Sequence, residues 1–179
     1  MHITAGRFRG RNLPVPKQAG VRPTPSKVRQ ALFNILGNME GASVLDLFSG
    51  SGLMALEALS RGAAAATSVE KNKRIFKHLQ DIRCDWSAQH EWQLICGDVQ
   101  AMLSRLAGQH FDLVFADPPY AKGISAHIPH WLDDAGISCA QLVIEESARV
   151  DPLWPSGWTQ LQSRRYGDTC LYFLEPEAA

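Results

Sequence analysis

Ser43-Val44-Leu45-Asp46-Leu47-Phe48-Ser49-Gly50-Ser51-Gly52 decides the fold. Its first half, Ser43–Phe48, is an apolar run of strand length interrupted only by Asp46, and it reads as a buried strand. Its second half spaces two glycines for a tight turn that lets a ligand approach the backbone. Leu53, Leu56 and Leu59 then recur at helical spacing, so a helix over Ser51–Arg61 turns its N-terminus toward that ligand.

The same alternation continues downstream. Ala65–Val69 reads as a second strand ending at Glu70, and Lys71–Cys84 as a helix with Ile75, Leu79 and Ile82 on one face. Trp92–Cys96 is a third strand, followed by Gly97-Asp98 and a helix to about Ala107. Phe111–Asp117 is the fourth strand, a helix covers roughly Ser125–Asp134, and Gln141–Glu145 is the fifth strand. Strands that alternate with helices imply a parallel sheet covered on both faces. The pattern then changes. Trp158–Arg164 and Cys170–Leu174 flank Tyr166-Gly167-Asp168 with no room for a helix, which predicts a terminal antiparallel hairpin. Trp154 and Trp158 read as a cover for the sheet edge in preference to a base-contacting loop.

Upstream, His2–Ala5 and Arg11–Val15 read as short strands around Gly6-Arg7-Phe8-Arg9-Gly10, a hairpin with an arginine-rich tip. Thr24 is placed to cap a helix with Pro25 at its first position, and Gly37 ends it after Val28, Ala31, Leu32, Ile35 and Leu36. The whole chain, 1–179, reads as one domain: a basic hairpin or arm over 1–21, a helix over 22–38, and an α/β core over 43–179.

Hydrophobic content of 45% and charged content of 20% fit a globular protein. No apolar stretch approaches the roughly 18 residues of a membrane span, and no apolar segment follows the basic N-terminus as in a secretory signal, so the expected location is cytoplasmic. Cys84, Cys96, Cys139 and Cys170 are scattered without metal spacing, and no metal site is expected. Net charge is zero but segregated. Seven of the 18 basic residues precede the first acid, Glu40, which points to a polyanion partner for Arg7, Arg9, Arg11 and Arg22.

Four polar signals fall at strand ends, where open α/β sheets bind ligands. They are the Asp46–Gly52 loop, Glu70, Asp98 and Asp117-Pro118-Pro119-Tyr120. Glu70, 20 residues past Gly50, could accept from two ribose hydroxyls; Asp98 could accept from an adenine amine or cap its own helix. Gly50-Ser51-Gly52-Leu53-Met54-Ala55 also fits the G-x-G-x-x-A fingerprint of NAD enzymes. Two features weigh against that chemistry. Asp46 would repel a pyrophosphate but welcome a cationic ammonium or sulfonium group, and the terminal hairpin is foreign to the dinucleotide fold. At the fourth signal two prolines force a rigid exit from the sheet. The Asp117 carboxylate and Pro118 carbonyl can then accept both N–H bonds of an exocyclic amine, while the Tyr120 ring stacks on the base for about 1–3 kcal/mol.

With those residues in hand the chain resembles the class I S-adenosylmethionine-dependent methyltransferases, and within them the RsmD family of 16S ribosomal RNA guanine-N2 methyltransferases. The narrower marks are Ile3-Thr4-Ala5-Gly6-Arg7-Phe8-Arg9-Gly10-Arg11, Arg22-Pro23-Thr24 leading into Val28–Asn34, and Leu56-Glu57-Ala58-Leu59-Ser60-Arg61-Gly62. Relatives often carry two glycines where this chain has Ala5-Gly6.

The resemblance implies a Rossmann-like class I methyltransferase fold and a methyl group moved to guanine N2 in 16S ribosomal RNA of the small subunit. S-adenosylmethionine would leave as S-adenosylhomocysteine, with no metal, no membrane and a monomeric enzyme. It assigns cofactor contacts to Thr24, Asp46, Phe48, Ser49, Gly50, Gly52, Glu70, Asp98 and Val99, catalysis to Asp117, Pro118 and Tyr120, and RNA contacts to Arg7, Arg9, Arg11 and Arg22. Methylation of adenine N6, or a non-catalytic ribosome-assembly role, is the alternative.

Overall fold

The computed structural model describes residues 1–14, 26–120 and 122–177. Helix α1, Ser26–Leu36, packs Val28, Leu32 and Phe33 inward and ends at Gly37, whose left-handed backbone (φ 77°) lets its N–H donate to the Phe33 carbonyl at 3.0 Å. The expected cap at Thr24 and Pro25 lies outside the described residues. Four βα steps and a fifth strand follow: β1 (Ser43–Leu47), α2 (Leu53–Ser60), β2 (Ala65–Glu70), α3 (Lys73–Asp85), β3 (Trp92–Cys96), α4 (Val99–Leu103), β4 (His110–Ala116), α5 (Ile128–Asp134) and β5 (Ser138–Ser147). A hairpin of β6 (Trp158–Tyr166) and β7 (Thr169–Pro176) completes the chain.

The seven strands lie in the order β3-β2-β1-β4-β5-β7-β6. The first five are parallel, and β7 enters antiparallel between β5 and β6. The order reverses between β1 and β4, which opens a crevice at their carboxyl ends. β5 is longer than the sequence predicts because Cys139 at its start and Glu145-Glu146 at its end remain paired to neighbours.

Alternation along the strands feeds two cores. Val44, Leu113, Phe115, Val143, Leu171 and Phe173 point to the face covered by α1, α2 and α3. Leu45, Leu47, Val114, Ile144, Tyr172 and Leu174 point to the face covered by α4 and α5. Trp154 and Trp158 cover this second face: Trp158 is buried and donates from Nε1 to Asp133 Oδ2 at 2.9 Å, and Trp154 sets its edge on Tyr172.

The predicted N-terminal hairpin closes through the antiparallel bridge of His2 to Asn12 and backbone bonds that join Ile3 to Gly10 and Arg11 and Leu13 to Met1, while residues 5–10 coil into turns that dock on α2. Ile3, Phe8 and Leu13 are buried in the first core. The loop also satisfies the end of α2: the Arg7 N–H donates to the Ser60 carbonyl (2.8 Å) and the Phe8 N–H to Ser60 Oγ (2.9 Å). Gly6 makes that approach possible, since a Cβ there would sit 1.6 Å from the Ser60 carbonyl oxygen at φ +77°. Gly6→Ala is expected to undock the loop and cost at least about 2 kcal/mol. A melting curve lowered by roughly 4–8 °C, with new proteolytic cleavage in residues 1–14, checks it.

Candidate functional site

The crevice between β1 and β4 gathers three of the four sequence signals, and Asp98 follows β3 at the same end of the sheet. Phe48, Gly50 and Gly52 all take left-handed backbone conformations (φ 61°, 52° and 72°), which wrap the chain from β1 into α2 within five residues. Phe48 is the costly member, since only glycine adopts this region freely. Three bonds hold the turn: the Ser49 N–H to the Val69 carbonyl (2.9 Å), the Gly52 N–H to the Ser49 carbonyl (2.8 Å) and the Gly50 N–H to Glu70 Oε2 (2.9 Å). Gly52 is packed as well as bent, because a Cβ would lie 2.8 Å from Leu79 and from the Trp92 ring.

Asp46 braces the loop from within. Its carboxylate is 1% exposed, accepts from Ser49 Oγ at 2.9 Å and meets the Ala55 N–H in the first turn of α2. Burial pushes its pKa up from 3.8 to about 7 against those hydrogen bonds, with the Glu70 charge adding to the rise. Glu70 is also a brace. Besides Gly50 it accepts from the Asn72 N–H through Oε1 (2.6 Å), while Asn72 caps α3 by accepting from Arg74 and Ile75. Each Glu70 oxygen keeps a second lone pair for a ligand hydroxyl.

Asp98 occupies the N-cap position of α4 with extended backbone, yet its side chain makes no capping hydrogen bond and is exposed. An acid that forgoes its own helix is free to accept from a ligand amine. Val99 next to it is buried, and Phe48 is half-buried against the same core. Hydroxyl-accepting, amine-accepting and backbone-donating groups thus line one rim, which fits a nucleoside joined to an amino-acid moiety. Among the described residues no group of three metal-ligating side chains forms.

On the other wall of the crevice, Ala116 pairs with Leu47 of β1 and with Ile144 of β5. Asp117 therefore emerges between Phe48 and Glu145, about one strand spacing of 5 Å from either backbone. Pro118 is buried, Asp117 half-buried, and Tyr120 turns back toward the sheet. The phenol is fixed at its far end: Tyr120 Oη donates to Glu145 Oε1 at 2.7 Å and lies 3.3 Å from Thr169 Oγ1. Burial, with the Glu145 carboxylate adding to it, pushes the phenol's pKa upward, so it stays a neutral donor. Glu145 and Thr169 are 3% and 5% exposed. Sequence reasoning missed both; the available signal was two acids, Glu145-Glu146, closing an otherwise apolar strand.

The arginine loop lies elsewhere. The Arg7 backbone bonds to the end of α2, its guanidinium pairs with Glu91 just before β3, and Phe8 packs on Trp86 at the end of α3. These are the amino ends of the parallel strands, about 20 Å from Asp117 for strands of this length. Arg7 and Arg11 lie over the Phe8 ring and Arg11 also over Trp86, while Arg9 is exposed. Arg22 and Thr24 lie outside the described residues.

Comparison with known proteins adds to this geometry. The family described as Conserved hypothetical protein 95 matches residues 1–175. Ribosomal RNA small subunit methyltransferase D of Escherichia coli K12 is 32% identical, covering 99% of this chain and 91% of that one. An uncharacterized methylase of Rickettsia prowazekii is 37% identical with 97% of each covered. The structure of Escherichia coli yhhF superposes with a TM-score of 0.88 at 32% identity, over 100% of this chain and 99% of that chain. An RNA methyltransferase of Salinibacter ruber, solved with S-adenosyl-L-homocysteine, shares the fold at a TM-score of 0.66 and 16% identity, over 88% and 96%. The sheet order, the glycine turn and these likenesses converge: the fold is that of the class I S-adenosylmethionine-dependent methyltransferases, and the chain belongs to the Conserved hypothetical protein 95 family, the RsmD family.

Proposed function

We propose that this protein methylates the exocyclic N2 of a guanine in small-subunit (16S) ribosomal RNA. The observation that carries the reading is the rigid exit at Asp117-Pro118, one strand from the glycine turn, with the Tyr120 ring held beside it by Glu145 and Thr169. The Asp117 carboxylate and Pro118 carbonyl accept the two N–H bonds of the amine and so localise its nitrogen lone pair. The Tyr120 ring supports the base face. Bound at the rim of Asp46, Glu70 and Asp98, S-adenosylmethionine supplies an electrophilic methyl group on a sulfonium. The residues therefore contribute orientation and polarisation, and Asp117 stands nearest to the proton that the methylated nitrogen must release. The target base has to be unpaired or flipped to reach the crevice.

The rim residues fit the cofactor in this scheme as follows. Gly50 and Gly52 admit its amino-acid moiety, Glu70 its ribose and Asp98 its adenine, with Phe48, Ser49 and Val99 completing the contact surface. Asp46 gives a pH signature. Its carboxyl is half-protonated near pH 7 in the free protein, and a cationic ammonium group favours the carboxylate. Affinity for S-adenosylhomocysteine should rise with pH through about 7 and level off above it. Calorimetric titration between pH 5.5 and 8.5 checks this; Asp46→Asn should weaken binding and flatten the profile.

Adenine N6 is the second reading, because the Asp-Pro-Pro-Tyr exit accepts either amine and because a tRNA1(Val) (adenine(37)-N6)-methyltransferase of Shewanella halifaxensis is 31% identical over 86 residues. The deciding experiment incubates the protein and labelled S-adenosylmethionine with small subunits from cells lacking this gene, followed by nucleoside digestion. Label in N2-methylguanosine is expected; label in N6-methyladenosine overturns the guanine assignment.

A further inference from the structure

The carboxyl end of the sheet carries a second group of arginines, much nearer to Tyr120 than the N-terminal loop. Among the described residues β6 is an edge strand that pairs with β7 alone, which leaves its outer N–H and C=O groups without a strand partner there. Its last residues run Arg164-Arg165-Tyr166, and register places them opposite Leu171, Cys170 and Thr169. Thr169 is the residue whose hydroxyl meets the Tyr120 phenol. Tyr166 therefore lies one strand spacing, about 5 Å, beyond the group that fixes Tyr120. Alternation puts Arg164 and Tyr166 on the face that carries Leu171, and Arg165 on the opposite face, so the strand end is flanked by a cation on each side.

These guanidinium groups are unspent. Among the described residues Arg164 Nη1 donates to its neighbour's carbonyl, Ser163 (3.3 Å), and Arg165 Nε to the Gly167 carbonyl in the turn (3.1 Å). Neither pairs with a carboxylate among the described residues. Arg149, just after β5, adds a third cation with 83% of its side chain exposed; its contact with Asp168 is long, at 4.0 Å, and Asp168 is itself 70% exposed. The hairpin is also polarised: its far end carries Glu175 and Glu177, opposite Thr159 and Gly157. Within the two strands, the arginines lie at the end nearer Tyr120 and the glutamates at the other, with Asp168 in the turn.

We propose that the tip of the β6–β7 hairpin, with Arg164, Arg165 and Arg149, binds the phosphate backbone of the RNA next to the target nucleotide. The inference rests on the methyltransferase reading for its substrate. Single-stranded RNA offers phosphates in a row beside the flipped base, and exposed strand N–H groups with arginines are suited to receive them. Phosphate contacts fix register without reading sequence. The N-terminal Arg7–Arg11 loop, about 20 Å away, then serves a distant part of the same RNA.

The test is the double variant Arg164→Gln/Arg165→Gln beside a charge-matched control, Lys77→Gln/Arg105→Gln, whose residues are exposed and away from the hairpin. Two quantities are read for each protein: the steady-state constants on gene-deleted small subunits, and the salt dependence of binding to their RNA. The hairpin variant should raise KM by about tenfold with kcat nearly unchanged and reduce the slope of log K against log salt by about 1.4. The control should resemble the wild type. An unchanged KM and slope overturn the proposal. If the variant instead aggregates with unchanged binding, the arginines guard an open strand edge, and the proposal fails in that way. A wild-type protein that binds the RNA without methylating it sinks the functional reading, while the salt slopes still decide the role of the hairpin.

Discussion

Asp117→Ala is expected to reduce methylation of small subunits by about 10²–10³-fold in kcat while leaving the affinity for S-adenosylhomocysteine close to that of the wild type. The separation follows from where the residue sits. The glycine turn is braced by Asp46, Glu70 and the Val69 carbonyl. Asp117 belongs to the opposite wall, past the last paired residue of β4. Its removal takes away one of two acceptors for the amine, and the buried Pro118 carbonyl cannot move to replace it because the proline ring fixes the backbone. Asp117→Asn keeps one acceptor oxygen and should fall between the two. Single-turnover kinetics with calorimetry on the same preparations checks both variants. A wild-type rate for Asp117→Ala would remove the residue from the mechanism, and a loss of cofactor affinity equal to the loss in rate would make it a structural element of the crevice.

The sheet was legible because its strands are written as short apolar runs closed by polar residues. Glu70, Asp98 and Asp117 close those runs where the chain leaves the sheet, so strand ends and site residues are the same signal there, while Asp46 stands out as an acid buried inside β1. The order of strands at the far edge was less legible. Nothing in Cys170–Leu174 says that β7 slots between β5 and β6; that follows from Leu171 and Phe173 filling one core while Tyr172 and Leu174 fill the other. Long-range partners escaped for the same reason. Glu145 and Thr169 reach Tyr120 across 25 and 49 residues, and periodicity reports only what recurs locally. The basic start of the chain was read as an arm because its charge is visible in composition. Its docking depends on Gly6 fitting the Ser60 carbonyl, a contact 54 residues away in sequence that composition does not encode. Charge segregation therefore drew attention to the amino ends of the strands, whereas Arg164 and Arg165, inconspicuous among the residues of the C-terminal half, sit beside the crevice.

Glu57→Ala is expected to destabilise the protein by about 3–5 kcal/mol, a fall of roughly 10 °C or more in Tm. Glu57 and Arg29 are both fully buried, and their ion pair spans 3.1 Å from Arg29 Nε to Glu57 Oε2. Glu57 also receives Arg61 Nε at 2.9 Å, the Thr4 N–H at 3.0 Å and the Thr4 hydroxyl, while Arg29 Nη2 reaches the His2 carbonyl at 2.6 Å. One carboxylate thus ties the N-terminal loop, α1 and α2 together. Alanine would strand the Arg29 charge in the core and release Thr4, so hydrogen exchange should accelerate in residues 2–13 first. The buried pair is not by itself a gain, because Arg29 Nη1 lacks a partner among the described residues and desolvation opposes both charges. The combined replacement Arg29→Met/Glu57→Leu should therefore be more stable than Glu57→Ala alone. Acid sharpens the distinction. Burial raises the Glu57 pKa, but the Thr4 and Arg61 hydrogen bonds and the Arg29 charge outweigh it and hold the carboxyl below its ordinary 4.5. A depressed folded-state value means that the stabilisation is complete above pH 4.5 and is lost as pH falls through the folded value. The wild type should lose stability in that window through Glu57, and the Met/Leu variant should lack this component; parallel acid melts of the two would expose it, and identical curves would show that the carboxylate does not hold the loop.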